Sequence, residues 1–261
     1  PPRSTLFPYT TLFRSRIDQL LVARGLAESR EKARALLLAG VVTVDGQRVD
    51  KAGAQVKEDA AIQVAEAMPF VSRGGFKLAG ALDGFGIDVS GRVCLDVGSS
   101  TGGFTDCLLQ RGAARVHCVD VGKSQLHWKL RNDERVIVHE GLNARYLRFE
   151  DIGEAADLAV CDVSFISVTL ILPVLPPLLK PPRAMVVLVK PQFEVGRDQV
   201  GRGGIVREPA FREAACERVR AAVETLGLAT RLMESPLPGA EGNLEYLLYG
   251  YDPDSRHHLE A

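Results

Sequence analysis

Between residues 93 and 189 the chain keeps returning to one pattern, a short apolar run followed by a stretch of helical period. Nothing else in the sequence restricts the fold as strongly. The runs at 93–97, 115–119, 136–139, 158–161 and 185–189 alternate with helical patterns at 104–111 and 123–131, and another helical pattern at 75–85 precedes them. Strands separated by helix-length crossovers make a parallel sheet with helices on both faces, so the expected class is α/β. The clearest helix follows at 209–226. Pro209 suits its first turn, Phe211, Ala215, Val219, Ala222 and Leu226 share a face, and Gly227 ends it. Strands at 229–234 and 244–249 would bring the sheet to seven.

Composition narrows the setting. The 261 residues are 46% apolar and 25% charged, with a net charge of −1, so a polyanionic partner would be met by local basic patches and not by a global field. No stretch approaches the ~18 consecutive apolar residues of a membrane span. The longest mostly apolar stretch, 168–179, is broken by Pro173, Pro176 and Pro177. The cysteines at 94, 107, 118, 161 and 216 are odd in number and contain no Cys-x-x-Cys pair. That argues against a disulfide framework and a structural zinc site, and the histidines show no metal-ligand spacing, so no metal is expected. With no apolar leader segment visible, the expected location is cytoplasmic. Residues 1–15 have no helical or strand period and repeat Thr-Leu-Phe. They resemble the translation of a sequencing-adapter oligonucleotide and are set aside as non-native; 252–261 is read as a tail.

A smaller α+β module is expected at 16–66. Ile17, Leu20 and Leu21 share a helical face before Gly25; Ser29 caps a second helix whose stripe is Ala33, Leu36 and Leu37 before Gly40. Residues 41–44 and 48–49 flank Asp45-Gly46, a type I′ hairpin signal, and 62–64 adds a strand. Arg16, Arg24, Arg30, Lys32 and Arg34 lie on or beside the helices; on composition alone they read as a solvated face. Pro69 marks a linker at 67–72, and the larger domain is expected at 73–251.

In open α/β sheets, ligands bind outside the carboxyl ends of the strands. Those ends carry Asp96, Asp120, Asp162 and Lys190, which are expected to converge on one crevice. The first strand runs into Gly98, Ser99, Ser100, Thr101, Gly102, Gly103 and Phe104. This Gly-x-x-x-Gly-Gly loop lacks the dinucleotide fingerprint, and Gly122-Lys123-Ser124 has His117 where a phosphate loop needs its leading Gly. Alone, the glycines describe a tight turn. With Asp120 placed to accept both hydroxyls of a ribose, the loop fits S-adenosyl-L-methionine.

The order of elements from Arg16 to Val49 resembles the S4 RNA-binding domain. The motifs SRGGFKL, DVGSSTGGFTDCLLQRGA, CDVSFIS, LVKPQFEVGR, VGRGGIVR and GNLEYLL resemble the hemolysin-A-type (TlyA) rRNA 2′-O-ribose methyltransferases, which join an S4 domain to an FtsJ-like domain. The resemblance implies a Rossmann-like class I methyltransferase sheet and a Lys-Asp-Lys-Glu tetrad, which falls on Lys77, Asp162, Lys190 and Glu245. It also implies S-adenosyl-L-methionine at the loop running from Asp96 to Phe104, at Asp120 and at Asp162. The implied partner is ribosomal RNA or a ribosomal subunit, modified at cytidine. Lys190 is then the candidate base or hydroxyl-polarising group. Residues 180–207 hold six Lys or Arg against two acids, which makes Arg202 and Arg207, with Arg73 beside Lys77, candidate RNA contacts in addition to the S4 arginines.

Rival readings want other residues. Methylation at cytosine C5 wants a Cys after Pro or Thr, and none of the five follows either. An exocyclic-amine enzyme wants Asn/Asp-Pro-Pro-aromatic, where this chain has Asp162-Val163-Ser164-Phe165. A noncatalytic RNA-binding protein has no use for the tetrad, and a hemolysin-like membrane-active protein finds no spanning segment here.

Overall fold

The computed structural model describes residues 13–38, 40–64, 69–239 and 241–253. The chain divides into two compact units between Pro69 and Phe70. Residues 1–12, the stretch 65–68 that holds the start of the expected linker, and 254–261 of the expected tail lie outside the described residues.

The first unit contains β1 (Arg14–Arg16), α1 (Ile17–Ala23), α2 (Arg30–Leu38), β2 (Val42–Val44), β3 (Gln47–Arg48), β4 (Gln55–Lys57) and β5 (Ile62–Val64). Antiparallel strands in the order β3-β2-β5 form one sheet, and β1 pairs with β4 in a second. Ile17 and Leu21 from α1, Ala33 and Leu37 from α2, and Val42 and Val44 from β2 close the core. Asp45 and Gly46 both have positive φ, as a type I′ turn requires. Ser29 Oγ accepts from Lys32 N at 3.1 Å, the expected cap. The unit starts earlier than 16, because Arg14 and Ser15 pair with Lys57 and Val56. This is backbone pairing by residues none of which is buried, which hydrophobic period does not announce.

The second unit contains, in chain order, α3 (Gly74–Phe85), β6 (Val93–Val97), α4 (Gly103–Gln110), β7 (Arg115–Asp120), α5 (Trp128–Arg131), β8 (Val136–Glu140), α6 (Phe149–Ile152), β9 (Leu158–Cys161), β10 (Ala184–Val189), α7 (Pro191–Glu194), α8 (Pro209–Glu224), β11 (Ala229–Glu234) and β12 (Tyr246–Tyr251). Its seven-stranded sheet has the order β11-β12-β10-β9-β6-β7-β8, with β12 antiparallel to both of its neighbours. Strand alternation sorts the core into two layers. Cys94, Val116, Leu158, Val160 and Val186 face α3 and α4, while Leu95, Val119, Ala159, Met185 and Val187 face α8 and the proline-broken turns between 168 and 178. Phe70–Ser72, expected as linker, belong to this unit: Val71 N donates to Asp106 Oδ2 at 2.8 Å and the Phe70 ring packs edge-on against Phe76.

Three expectations shift. The helix expected at 123–131 shortens to α5, because Asp120 Oδ1 accepts from Gly122 N at 2.7 Å, Glu140 Oε1 accepts from Ser124 N at 2.8 Å, and Ser124 is left-handed. The left-handed residue breaks the helical path, and the two carboxylates hold the segment in that turn. The last strand lies at Tyr246–Tyr251, two residues beyond 244–249. Asp96, expected on the rim, is fully buried on the α4 side of β6. Thr105 Oγ1 donates to its Oδ2 at 2.6 Å, while Oδ1 lies buried without a hydrogen bond.

Burial, reinforced by the charges of Asp162 and Asp120, pushes the Asp96 carboxyl up to about 7, with the Thr105 hydroxyl opposing. Raised in the folded chain, this group favours folding while protonated and loses that contribution as pH climbs from the ordinary carboxylate range through about 7. Asp96→Asn fixes the uncharged form. Its advantage over the parent in urea midpoint should grow from pH 5 to pH 8; a constant difference would show that the buried carboxyl does not titrate there.

Candidate active site

β6 lies between β7 and β9, so successive connections leave it in opposite directions and open a crevice at the carboxyl edge. The turn after β6 is shaped by contact with its neighbour. Gly98 has φ 83°, and a Cβ there would lie 2.5 Å from the Asp162 carbonyl oxygen. Beside this turn is a cavity of about 450 Å³ whose lining combines Gly98, Ser100, Asp120 and Asp162 with the apolar Val121, Leu142, Ile166 and Ile171. Asp120 Oδ2 accepts from Ser100 N at 2.8 Å and Oδ1 from Gly122 N at 2.7 Å. Each oxygen keeps a lone pair for a ligand hydroxyl.

A second cavity of about 180 Å³ shares Gly98, Ser100, Asp162 and Ser164 with the first and adds Ser72, Lys77, Ser99, Thr101, Gly103, Phe104 and Lys190. Gly102 lines neither. Its Cβ position is filled by Leu126 and Leu130, so this glycine serves packing against α5, which corrects its expected place at the ligand. Phe104 combines a core position at 3% exposure with one edge of the second cavity.

The four tetrad positions gather as two ion pairs. Lys190, just past β10, places Nζ 2.6 Å from Asp162 Oδ1 and donates to Ser164 Oγ at 2.7 Å. Lys77, in the first turn of α3, pairs with Glu245 Oε2, and both side chains are almost wholly withdrawn from water. Glu245 reaches this edge because β12 is antiparallel: Val189 pairs with Tyr246, so the residue after the one and the residue before the other lie at the same end of the sheet. Glu245 lines neither cavity and meets the second through Lys77.

The candidate RNA contacts divide. Arg16, Arg30 and Arg34 collect around Asp18, and Lys32 is exposed with no ion pair among the described residues. Arg24 donates to the carbonyls of Ala60, at 2.7 Å, and Glu58. Its guanidinium ties the end of α1 to the stretch between β4 and β5 and stays exposed. Arg73 Nη2 donates to the Pro238 carbonyl at 2.7 Å and so braces the segment that carries Glu245. Arg202 and Arg207 are exposed in a loop held by a buried residue, Asn243, whose Oδ1 accepts from Val206 N at 2.9 Å and whose Nδ2 donates to Gly204 O at 2.8 Å.

Sequence reasoning missed several lining residues. Leu142, Asn143 and Ala144 follow β8, and the strand-end rule extended to that strand would have found them. Ser164 and Phe165 stood inside a quoted motif without an assignment. Phe165 is left-handed at φ 65°, its ring 91% exposed and 5.4 Å from that of Phe193.

Residues 70–251 match the FtsJ-like methyltransferase family and residues 15–62 the S4 domain. The chain is 48% identical over 239 residues to the 16S/23S rRNA (cytidine-2'-O)-methyltransferase TlyA of Mycobacterium tuberculosis, covering 90% of this chain and 89% of that protein. It is 42% identical over 236 residues to hemolysin A of Brachyspira hyodysenteriae, covering 90% and 98%. A solved Streptococcus thermophilus protein described as a hemolysin superposes with a TM-score of 0.70 at 43% identity, covering 94% of this chain and 90% of that one. Among the described residues no helix is long and apolar enough to cross a membrane. An S4 unit joined to a Rossmann-like methyltransferase unit, with both families matched in order, makes this chain a member of the hemolysin-A-type (TlyA) FtsJ-like methyltransferases.

Proposed function

We propose that the chain transfers a methyl group from S-adenosyl-L-methionine to a ribose 2′-hydroxyl of ribosomal RNA, with cytidine as the nucleoside, in the cytoplasm. The observation that carries this reading is Lys190, which lines the second cavity and is held by Asp162 and Ser164, two residues that line both. The activity of the Mycobacterium tuberculosis relative supports the choice of cytidine and of the 2′-oxygen.

The larger cavity suits the cofactor. Its apolar side, with Leu142, Ile166 and Ile171, matches a purine, and the Asp120 carboxylate matches the two ribose hydroxyls. Gly98, where a Cβ would strike the Asp162 carbonyl, lets the turn after β6 pack on the Asp162 backbone and line both cavities. When bound, the cofactor supplies a methyl on a cationic sulfur that departs as a neutral thioether. Ser72, Lys77 and Lys190 face the smaller cavity, which suits the acceptor ribose.

A ribose hydroxyl is a weak nucleophile, so its proton must leave as its oxygen takes the methyl. Lys190 donates to Ser164 Oγ and lies 2.6 Å from Asp162 Oδ1, so a proton handed to that carboxylate leaves Nζ with a lone pair for the acceptor hydroxyl. As the carbon–oxygen bond forms, the hydroxyl proton passes to that lone pair, so that Lys190 ends with three protons and Asp162 with the one it received. The charge of Lys77, fixed by Glu245, steadies negative charge developing on that oxygen. The exposed Phe165 ring at the cavity mouth offers a stacking face to the nucleobase. Arg202 and Arg207, on the loop clamped by Asn243, grip the backbone beyond the target.

Lys190→Ala should lower the methylation rate of ribosomal RNA by about 10²–10⁴ while leaving the dissociation constant for S-adenosylmethionine within a few-fold; full activity in this variant would refute the assignment of Lys190. Asn243→Ala strands the Val206 N–H and the Gly204 carbonyl, a cost of about 1–3 kcal/mol confined to the loop. Trypsin should then cut faster after Arg202 and Arg207, and KM for RNA should rise; an unchanged cleavage rate would remove the clamp.

A further inference from the structure

Among the described residues of the first unit one carboxylate is completely buried, that of Asp18, and three arginines meet on it. Arg16 approaches fork-on, Nε to Oδ1 at 3.0 Å and Nη2 to Oδ2 at 2.9 Å. Arg30 Nη2 donates to Oδ2 at 3.2 Å, and Arg34 Nε lies 3.9 Å from the same oxygen. We propose that Asp18 is a positioning residue for RNA, holding Arg16, Arg30 and Arg34 as one pre-set array that binds neighbouring phosphates of the backbone. This rests on the RNA reading given above and names the residue that organises its first-unit contact.

Three guanidiniums brought together without a counter-charge repel one another and splay into water. Arg16 comes from the end of β1, while Arg30 and Arg34 stand one turn apart on α2, so local structure alone does not converge them. The buried carboxylate does. It cancels one of three positive charges and leaves two. Hydrogen bonds from Arg16 above all, then from Arg30, hold Asp18 far below the usual carboxylate range, so it stays ionised at any working pH.

The array also faces outward. The side chains of Arg16, Arg30 and Arg34 are 39%, 52% and 54% exposed, whereas Asp18 is at 0%. Asp18 occupies only the inner edges of the guanidiniums. Each has five N–H donors, and the outer ones remain for phosphate oxygens in the paired geometry that suits arginine. Free surface arginines lose rotamer freedom on binding; Arg16 and Arg30, hydrogen-bonded to Asp18, have given up part of it beforehand, which is how pre-organisation raises affinity. Arg24, tied to two carbonyls, stands outside the array.

The sign of one substitution separates this reading from simple electrostatics. Removing a negative charge should strengthen binding to a polyanion if Asp18 only offsets its arginines; it should weaken binding if Asp18 aims them. The test uses the full chain and a fluorescently labelled RNA stem-loop, with affinity measured by anisotropy across a salt series. Asp18→Asn should bind roughly tenfold more weakly, and most of that loss should vanish in an Arg30→Gln/Arg34→Gln background, where a purely structural role would leave it intact. Arg34→Gln alone should lower the slope of log affinity against log salt by about one. Equal or tighter binding by a folded Asp18→Asn chain would overturn the proposal. If that variant loses the unit's melting transition, Arg34→Gln decides, and an unchanged salt slope overturns it. A parent chain that binds no RNA would remove the underlying reading, whereas a parent that binds while Asp18→Asn binds no worse would remove only the array.

Discussion

A lysine withdrawn from water must be given a counter-charge or lose its own, and the carboxyl edge of this sheet withdraws two. Lys77 and Lys190 keep only 10% and 12% of their side-chain surface, and each meets a carboxylate, Glu245 for the first and Asp162 for the second. The pairing depends on chain direction. Were β12 parallel to β10, the residue before Tyr246 would emerge at the amino edge, and Lys77 would face the crevice without an acid. The reversed strand therefore fixes the electrostatics of the site as well as the edge of the sheet.

The two cavities meet at Asp162. Its backbone presses on Gly98, its side chain takes Lys190, and it lines the space on both sides. A methyl donor in one space and a hydroxyl in the other would meet across a single fixed carboxylate, and proximity of that kind accounts for much of the rate in a two-substrate transfer. Strain collects at the same place. Ser100 and Phe165, both non-glycine and left-handed, flank this junction, and such conformations persist only where the surroundings impose them. Ser100 is imposed upon by Asp120, which accepts its N–H.

The strands β6, β7, β9 and β10 were legible because strands buried on both faces read as unbroken apolar runs. The helix at 123–131 was not, since a turn with Ser124 left-handed takes its first residues and is held by two carboxylates, Asp120 and Glu140, and periodicity carries no record of side chains that hold a turn by its N–H groups. Asp96 was misread for a reason available beforehand. It shares parity with Cys94 on a strand of period two, so its side chain turns inward with Cys94 while Leu95 and Val97 turn the other way. Glu245 had no signal of its own in composition or period; resemblance named it, and only the antiparallel register explains how it arrives.

Both units solve the same problem, fixing flexible cations with a buried acid, and differ in the count. Around Asp18 three arginines share one carboxylate and two positive charges are left over. At the sheet edge two lysines share two carboxylates and none is left over. An array with surplus charge draws a polyanion and holds it by counterion release, in a way that salt weakens. A balanced set draws little from a distance, but in low dielectric it lets a proton shift between amine and carboxylate without creating or stranding net charge. Arginine, which does not give up its proton, occupies the first setting, and lysine, which can, occupies the second. The choice of cation in each unit thus follows the work proposed for it: attraction in one, proton handling in the other.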